Sequence, residues 1–175
     1  RSARQVSLMK EDNIRTIADK VAYEVASLQP TLRFDTVSLA LAKRLATRVE
    51  ERAREIGVHA VVAVCGVGAR PVLVECMDDS YIASYDVAFN KAYTSVALKM
   101  STIKLKELSQ PRGPLYGIQQ TNEGKIVVFG GGEPLILDGK LIGGLGVSGG
   151  SEEQDTGLAA FGSSVLCEEA KKCLQ

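Results

Sequence analysis

Between Phe129 and Asp155 the chain carries glycine at a density few folds can accommodate. It runs Phe129-Gly-Gly-Gly-Glu-Pro-Leu135, and then Leu141-Ile-Gly-Gly-Leu-Gly-Val-Ser-Gly-Gly-Ser-Glu-Glu-Gln-Asp155. Glycine weakens strands and costs folding entropy, so such a run is kept for geometry. Backbone here must come very close to something: another strand, a helix, another subunit or a ligand. Gly144-Leu-Gly146-Val-Ser-Gly149 also has the spacing G-x-G-x-x-G. Context disfavours a dinucleotide reading of it. The motif would need a second parallel strand beyond the helix, with an acidic residue about 20 positions on. The helix that follows the glycines is expected to be the last element. Its first turn carries Glu152, Glu153 and Asp155, which suit the positive end of a helix dipole and repel a phosphate. Ser151 and Gln154 have the spacing of a capping box. The segment therefore reads as a glycine-smoothed strand turning into a capped helix.

Charge narrows the function classes. Lys and Arg number 21 and Asp and Glu 21, so the chain has no electrostatic footprint for nucleic acid. No apolar run reaches the roughly 20 residues a bilayer span requires, and membrane binding is not expected. Cys65, Cys76, Cys167 and Cys173 form no C-x-x-C pair, and His59 is the single histidine. Reduced thiols and no metal site are the expectation.

The apolar periodicity gives an order of elements. Ile14, Ile17, Val21, Val25 and Leu28 recur at helical spacing, predicting an amphipathic helix over about 11–28 that Pro30 separates from the rest. Residues 1–30 are thus an N-terminal extension and linker, and 31–175 a domain. A second helix, capped by Asp35 or Thr36, carries the stripe Val37, Leu41, Leu45, Val49 and Ala53 and ends at Gly57. Two strands, 58–65 and 72–77, form a hairpin. A long helix starts at Asp79 or Ser80, with Ile82, Tyr85, Phe89, Ala92, Val96 and Met100 on one face. Residues 101–121 are irregular with a helical turn. Strands are expected near 125–129, 133–137 and 140–148, then a helix from about 152 to 173. Short turns between the last strands argue antiparallel pairing. The fold class is α+β: a single antiparallel sheet with helices packed on it.

The segment GGG-x-P through GVSGG-S-x-EQD resembles the GlcG/HbpS family, the haem-degrading domain family that includes the C-terminal domain of PduO-type corrinoid adenosyltransferases. Ala53-Arg-Glu-Ile-Gly57, Met77-Asp78-Asp79 and Asn90-Lys-Ala92 resemble further family segments, although Cys76 stands where the family's turn usually has Arg. Leu115-Tyr-Gly117 with Gln119 is similar to a subgroup found beside diol- and glycerol-dehydratase microcompartment genes. The likeness spans about residues 34–172. It implies a profilin-like sheet of about five strands and a homo-oligomer, dimer or larger. It also implies an accessory small-molecule-binding protein of the bacterial cytoplasm, placed inside a microcompartment for diol, glycerol or ethanolamine metabolism. The ligand it implies is a tetrapyrrole, haem or corrinoid, or a small acid.

No catalytic set stands out, and His59, at the start of an expected buried strand, reads as structural. The expected ligand-binding residues are Asp79, Lys91, Gly131, Gly132, Pro134 and Ser148, a pocket formed by the Lys91 helix, the Gly130–Pro134 loop and a partner subunit. Lys91 could hold an acidic group or an anion, or equally be a surface lysine, whereas Asp78 or Asp79 is read first as a helix cap and only second as an acid–base group. Two alternatives stand beside this one. One is an enzyme using Lys91 and Asp79 on a small substrate. The other is an assembly subunit without ligand, its Gly143–Gly150 strand buried against a symmetry mate. Residues 11–28 suit a neighbouring subunit, the chain's own domain or a microcompartment shell protein, since a short helix of this kind must dock on something.

Overall fold

The computed structural model describes residues 35–173, with Thr16, Ile17 and Lys20. The chain divides into two units, residues 1–33 and 34–175. Thr16, Ile17 and Lys20 are helical, and the remainder of the helix expected over 11–28 lies outside the described residues.

The first helix of the domain, α1 (Leu39–Glu55), starts where Ser38 accepts the Leu41 amide on its hydroxyl at 3.2 Å. The cap is therefore Ser38, neither Asp35 nor Thr36. Thr36 is used elsewhere, its hydroxyl accepting from the Val67 amide at 3.1 Å. The stripe Val37, Leu41, Leu45, Val49 and Ala53 is buried throughout. Gly57 follows the helix at φ +69°, the left-handed conformation that stops it.

Strands β1 (Val61–Gly66) and β2 (Pro71–Cys76) form the expected hairpin. Strand β3 (Gly132–Leu137) joins β4 (Lys140–Ser148) through Asp138 and Gly139, both at positive φ. That is the geometry of a two-residue hairpin turn matched to strand twist. The sheet order is β2-β1-β4-β3 and every pairing is antiparallel.

Among the described residues the sheet has four strands rather than about five. Residues 125–129, expected as a strand, make no ladder. The Val127 amide donates to the Thr94 hydroxyl at 3.0 Å, and that hydroxyl lies 3.3 Å from the Lys125 carbonyl. A helix side chain thus takes the backbone groups a neighbouring strand would have used.

Helix α2 (Ser84–Ala97) lies on one face of the sheet. It begins five residues beyond Asp79, which sits in a turn at φ +62° and caps nothing. Its buried face is Ala88, Lys91, Ala92, Ser95 and Val96, whereas Ile82 and Tyr85 are exposed. The shift follows from the glycines it covers. A Cβ at Gly144 would meet the Ser95 hydroxyl at 2.5 Å and the Ala92 carbonyl at 2.6 Å, and one at Gly146 would land on the Ala88 carbonyl. Small residues on α2 and glycines on β4 let the two backbones touch. The close approach anticipated from the glycine density is helix on strand.

After a short helix, α3 (Thr102–Leu108), the chain returns to the sheet. Helix α4 (Glu152–Ser164) opens with the capping box of Ser151 and Gln154. The helix expected to reach 173 breaks at Val165, from which α5 (Leu166–Lys172) starts. At the break Ser163 and Ser164 donate their hydroxyls to the carbonyls of Pro134 and Phe161, an alternative to helix continuation that serine offers. Helices α1, α4 and α5 cover the second face, where Gly162 sits against Leu145 and Val49. With helices on both faces, all six residues of β1 are buried, which explains why it reads as an unbroken apolar run.

Candidate functional site

Lys91 is fully buried on α2, an unusual place for an ammonium group. Its Nζ donates to the Val147 carbonyl and to Asp155 Oδ2, each at 2.8 Å. The face of Phe129 lies over it, 4.9 Å to the ring centroid. Burial lowers the Lys91 pKa, and the hydrogen bond and charge of Asp155 oppose that shift. The other oxygen of Asp155 accepts the Gly150 amide at 2.9 Å. One ion pair therefore ties α2 to the end of β4 and to the first turn of α4.

The triple-glycine loop is wrapped around this pair. Gly131 has φ +109°, and a Cβ there would sit 2.7 Å from Lys91 Nζ and 2.9 Å from Asp155 Cβ. A Cβ at Gly132 would lie 2.6 Å from the Lys91 carbonyl. The Gly130 amide donates to Glu152 at 2.9 Å and the Gly132 amide to Thr102 at 2.9 Å. Lys106, 2.5 Å from Glu152, and the Gly130 amide hold the Glu152 carboxyl below the usual range. Three amides at the start of α4 have side-chain partners. The Gly150, Ser151 and Gln154 amides are already taken by Asp155, Gln154 and Ser151 side chains.

Beside this cluster runs a cleft in two adjoining parts. The first, about 310 Å³, lies among Tyr81, Val87, Phe129, Ser148 and Asp155. The second, about 500 Å³, lies among His59, Asp79, Tyr81, Ser151 and Gln154. Tyr81, Gly149 and Gly150 belong to both. Ser148 forms part of the first wall, its hydroxyl donating to that of Ser84 at 3.1 Å.

Of the residues expected to bind a ligand, Lys91, Gly131 and Gly132 come together, but as a buried brace behind the cleft. Asp79 and Ser148 lie in its two parts. Pro134 is half-buried on β3, paired in register with Gly144. Lys91 is bonded to Asp155 rather than to Asp79. Sequence reasoning missed Tyr81 and Phe129 as cleft walls. It also placed His59 in a buried strand, whereas His59 precedes β1, is exposed, and has Nδ1 2.8 Å from the Asp78 carbonyl. No spacing rule marks such residues, because they meet only where a turn, a loop and a strand end converge.

The cysteines are free. Burial pushes the Cys65 thiol up to about 12, which leaves it inert. Among the described residues no three His, Cys, Asp or Glu side chains gather to hold a metal ion, and no helix is long and apolar enough to cross a membrane.

A family model described as haem degrading protein HbpS-like matches residues 37–163. An uncharacterized 15.0 kDa protein of the dhaT-dhaS intergenic region of Citrobacter freundii is 48% identical over 124 residues, 71% of this chain and 87% of that protein. The corrinoid adenosyltransferase PduO of Salmonella typhimurium is 39% identical over 139 residues, 77% of this chain but only 41% of PduO. A crystal structure of a PduOC–haem complex superposes with a TM-score of 0.71 at 38% identity, covering 74% of this chain and 94% of that one.

Proposed function

The chain belongs to the HbpS-like family, and on that premise we propose that it is an accessory small-molecule-binding protein whose cleft takes a tetrapyrrole. The observation that carries this reading is the continuity of the cleft. An aromatic, apolar part of about 310 Å³ opens across a glycine floor into a more polar part of about 500 Å³. A flat macrocycle with an apolar body and carboxylate edges matches that gradient, and Gly149 and Gly150 leave room for it to lie close to the backbone. The related PduOC structure, named as a haem complex, supports haem over the small-acid alternative. The reading of Lys91 and Asp79 as an acid–base pair has less support. The Lys91 ammonium faces inward, bonded to Val147 and Asp155, and a proton-transferring group must reach its substrate within about 3 Å. PduO's own activity does not carry over, since the likeness spans less than half of that protein.

The binding reading is tested by titrating the purified chain with haemin and with cobalamin, following absorbance and thermal shift. A shifted Soret band and a raised melting temperature with haemin are expected. Unchanged spectra and melting with both compounds would remove the tetrapyrrole reading. Association with a microcompartment is supported by the likeness to PduO, and residues 11–28, outside the family match, are its proposed docking segment on a shell protein because a short terminal amphipathic helix must dock on something. Fusing residues 1–30 to a fluorescent protein in a microcompartment-producing cell should give puncta, and diffuse fluorescence would sink it. Homo-oligomer formation is supported by the exposed Ile82 and Tyr85 beside the cleft, Ile82 being 95% exposed. Light scattering at the monomer mass of 18.7 kDa would contradict it.

A further inference from the structure

We propose that His59 Nε2 is the protein ligand to the iron of a haem lying in this cleft, an inference that rests on the tetrapyrrole reading above. Four observations support it. His59 is the single imidazole of the chain, it is exposed, and it lines the polar part of the cleft beside Asp79 and Tyr81. Its Nδ1 lies 2.8 Å from the Asp78 carbonyl. A carbonyl can only accept, so Nδ1 carries the proton and Nε2 the lone pair. This backbone partner fixes both the tautomer and the ring plane, the arrangement in which metal-ligating histidines are held.

A bare cation would not stay at this place. Among the described residues no set of three His, Cys, Asp or Glu surrounds it, and structural metal sites take about four protein ligands. A metalloporphyrin brings its own equatorial nitrogens and asks the protein for one or two axial donors. A lone, oriented, exposed imidazole therefore fits haem and not a free ion. The other soft donors nearby are less suited. The Met77 sulfur already accepts the Ala60 amide at 3.3 Å. Cys76 lines a neighbouring hollow with Glu50 and Arg54 that also touches His59, but only His59 reaches from there into the part of the cleft that holds Tyr81 and the glycine floor.

The full chain and its His59→Ala and His59→Gln variants are titrated with haemin and, separately, with metal-free protoporphyrin IX. Because His59 is exposed, the variants should melt with the parent. Haemin affinity is expected to fall by about tenfold or more in both, the scale on which even outer-shell partners of a metal ligand count. The Soret maximum and spin-state bands should shift, and added imidazole should restore the parent spectrum in His59→Ala. Protoporphyrin IX, which has no iron to ligate, should bind all three proteins alike. Haemin spectra and affinity unchanged in the variants would overturn the assignment while leaving the cleft reading intact. Absence of binding by the parent chain to either compound would overturn both.

Discussion

The Lys91 ammonium and the Asp155 carboxylate meet at 2.8 Å with side-chain exposures of 0% and 5%. Lys91 on α2 and Asp155 on α4 are 64 positions apart, and between them pass the triple-glycine loop and the end of β4. Breaking one side of such a pair strands a buried charge, which costs about 3–5 kcal/mol. Asp155→Ala and Lys91→Met should each lose stability on that scale in urea unfolding. Lys91→Met combined with Asp155→Ala should lose clearly less than the two singles added. Additive losses would show that the two groups do not act as a pair.

The glycines of β4 and α4 make opposite predictions. Alanine at Gly146 drives its Cβ onto the Ala88 carbonyl, and at Gly144 onto Ser95 and Ala92, so each should destabilise by about 1–3 kcal/mol through overpacking. Gly157 sits inside α4 with open space where an alanine Cβ would stand, no neighbouring atom lying within 4 Å of that point. There alanine should stabilise by about 0.5–1 kcal/mol, by removing unfolded-chain entropy. Thermal melts of the three variants decide it, and similar effects at all three would refute the helix-on-strand account of the glycine density.

That density was legible as a demand for close approach, and so was the antiparallel order of the last two strands, because the turn between them is short. The apolar stripe of α1 could be read directly, since large residues at helical spacing face a sheet. The α2 stripe could not. Its core face is alanine, serine and lysine, residues that carry no hydrophobic signal, and only the glycines opposite make that face the buried one. Residues 125–129 look like a strand because they are apolar, but Thr94 claims their backbone groups. Of the site, Lys91 and the glycine loop stood out in the sequence. The cleft walls Tyr81 and Phe129 and the orientation of His59 depend on turns whose meeting no local pattern encodes.

Two carboxyls should respond to pH with opposite sign. Burial opposes ionisation of Glu169, but hydrogen bonds from Lys172, Arg48 and Arg44 outweigh it and hold its pKa below the usual 4.5. Its contribution is present above about 4.5 and is lost as pH falls through the lowered folded value. Glu133 is raised above 4.5 by burial alone, so its contribution is full below 4.5 and is lost as pH rises through the raised folded value. Glu169→Gln should therefore be weakened at about pH 7 and converge on the parent in acid, whereas Glu133→Gln should gain on the parent as pH rises above about 4.5. Urea midpoints across that range check both signs, and parallel curves for either variant would contradict its assignment.

Tyr81 offers the sharpest test of where a ligand lies. It belongs to both parts of the cleft and is 73% exposed, so its ring contributes little to the core, and Tyr81→Ala should melt like the parent. Phe129 is a poorer probe, because its ring also covers the Lys91 ammonium and truncation would disturb the brace behind the cleft. An aromatic ring stacked on a macrocycle contributes about 0.5–1.5 kcal/mol beyond the area it buries. Tyr81→Ala should thus weaken haemin and protoporphyrin IX together, by about tenfold once the lost area is included. This differs from the iron-specific loss expected at His59. If Tyr81→Ala binds both compounds as the parent does, the macrocycle does not occupy the space between Tyr81 and the Gly149–Gly150 floor, and the site must be sought on another face of the domain.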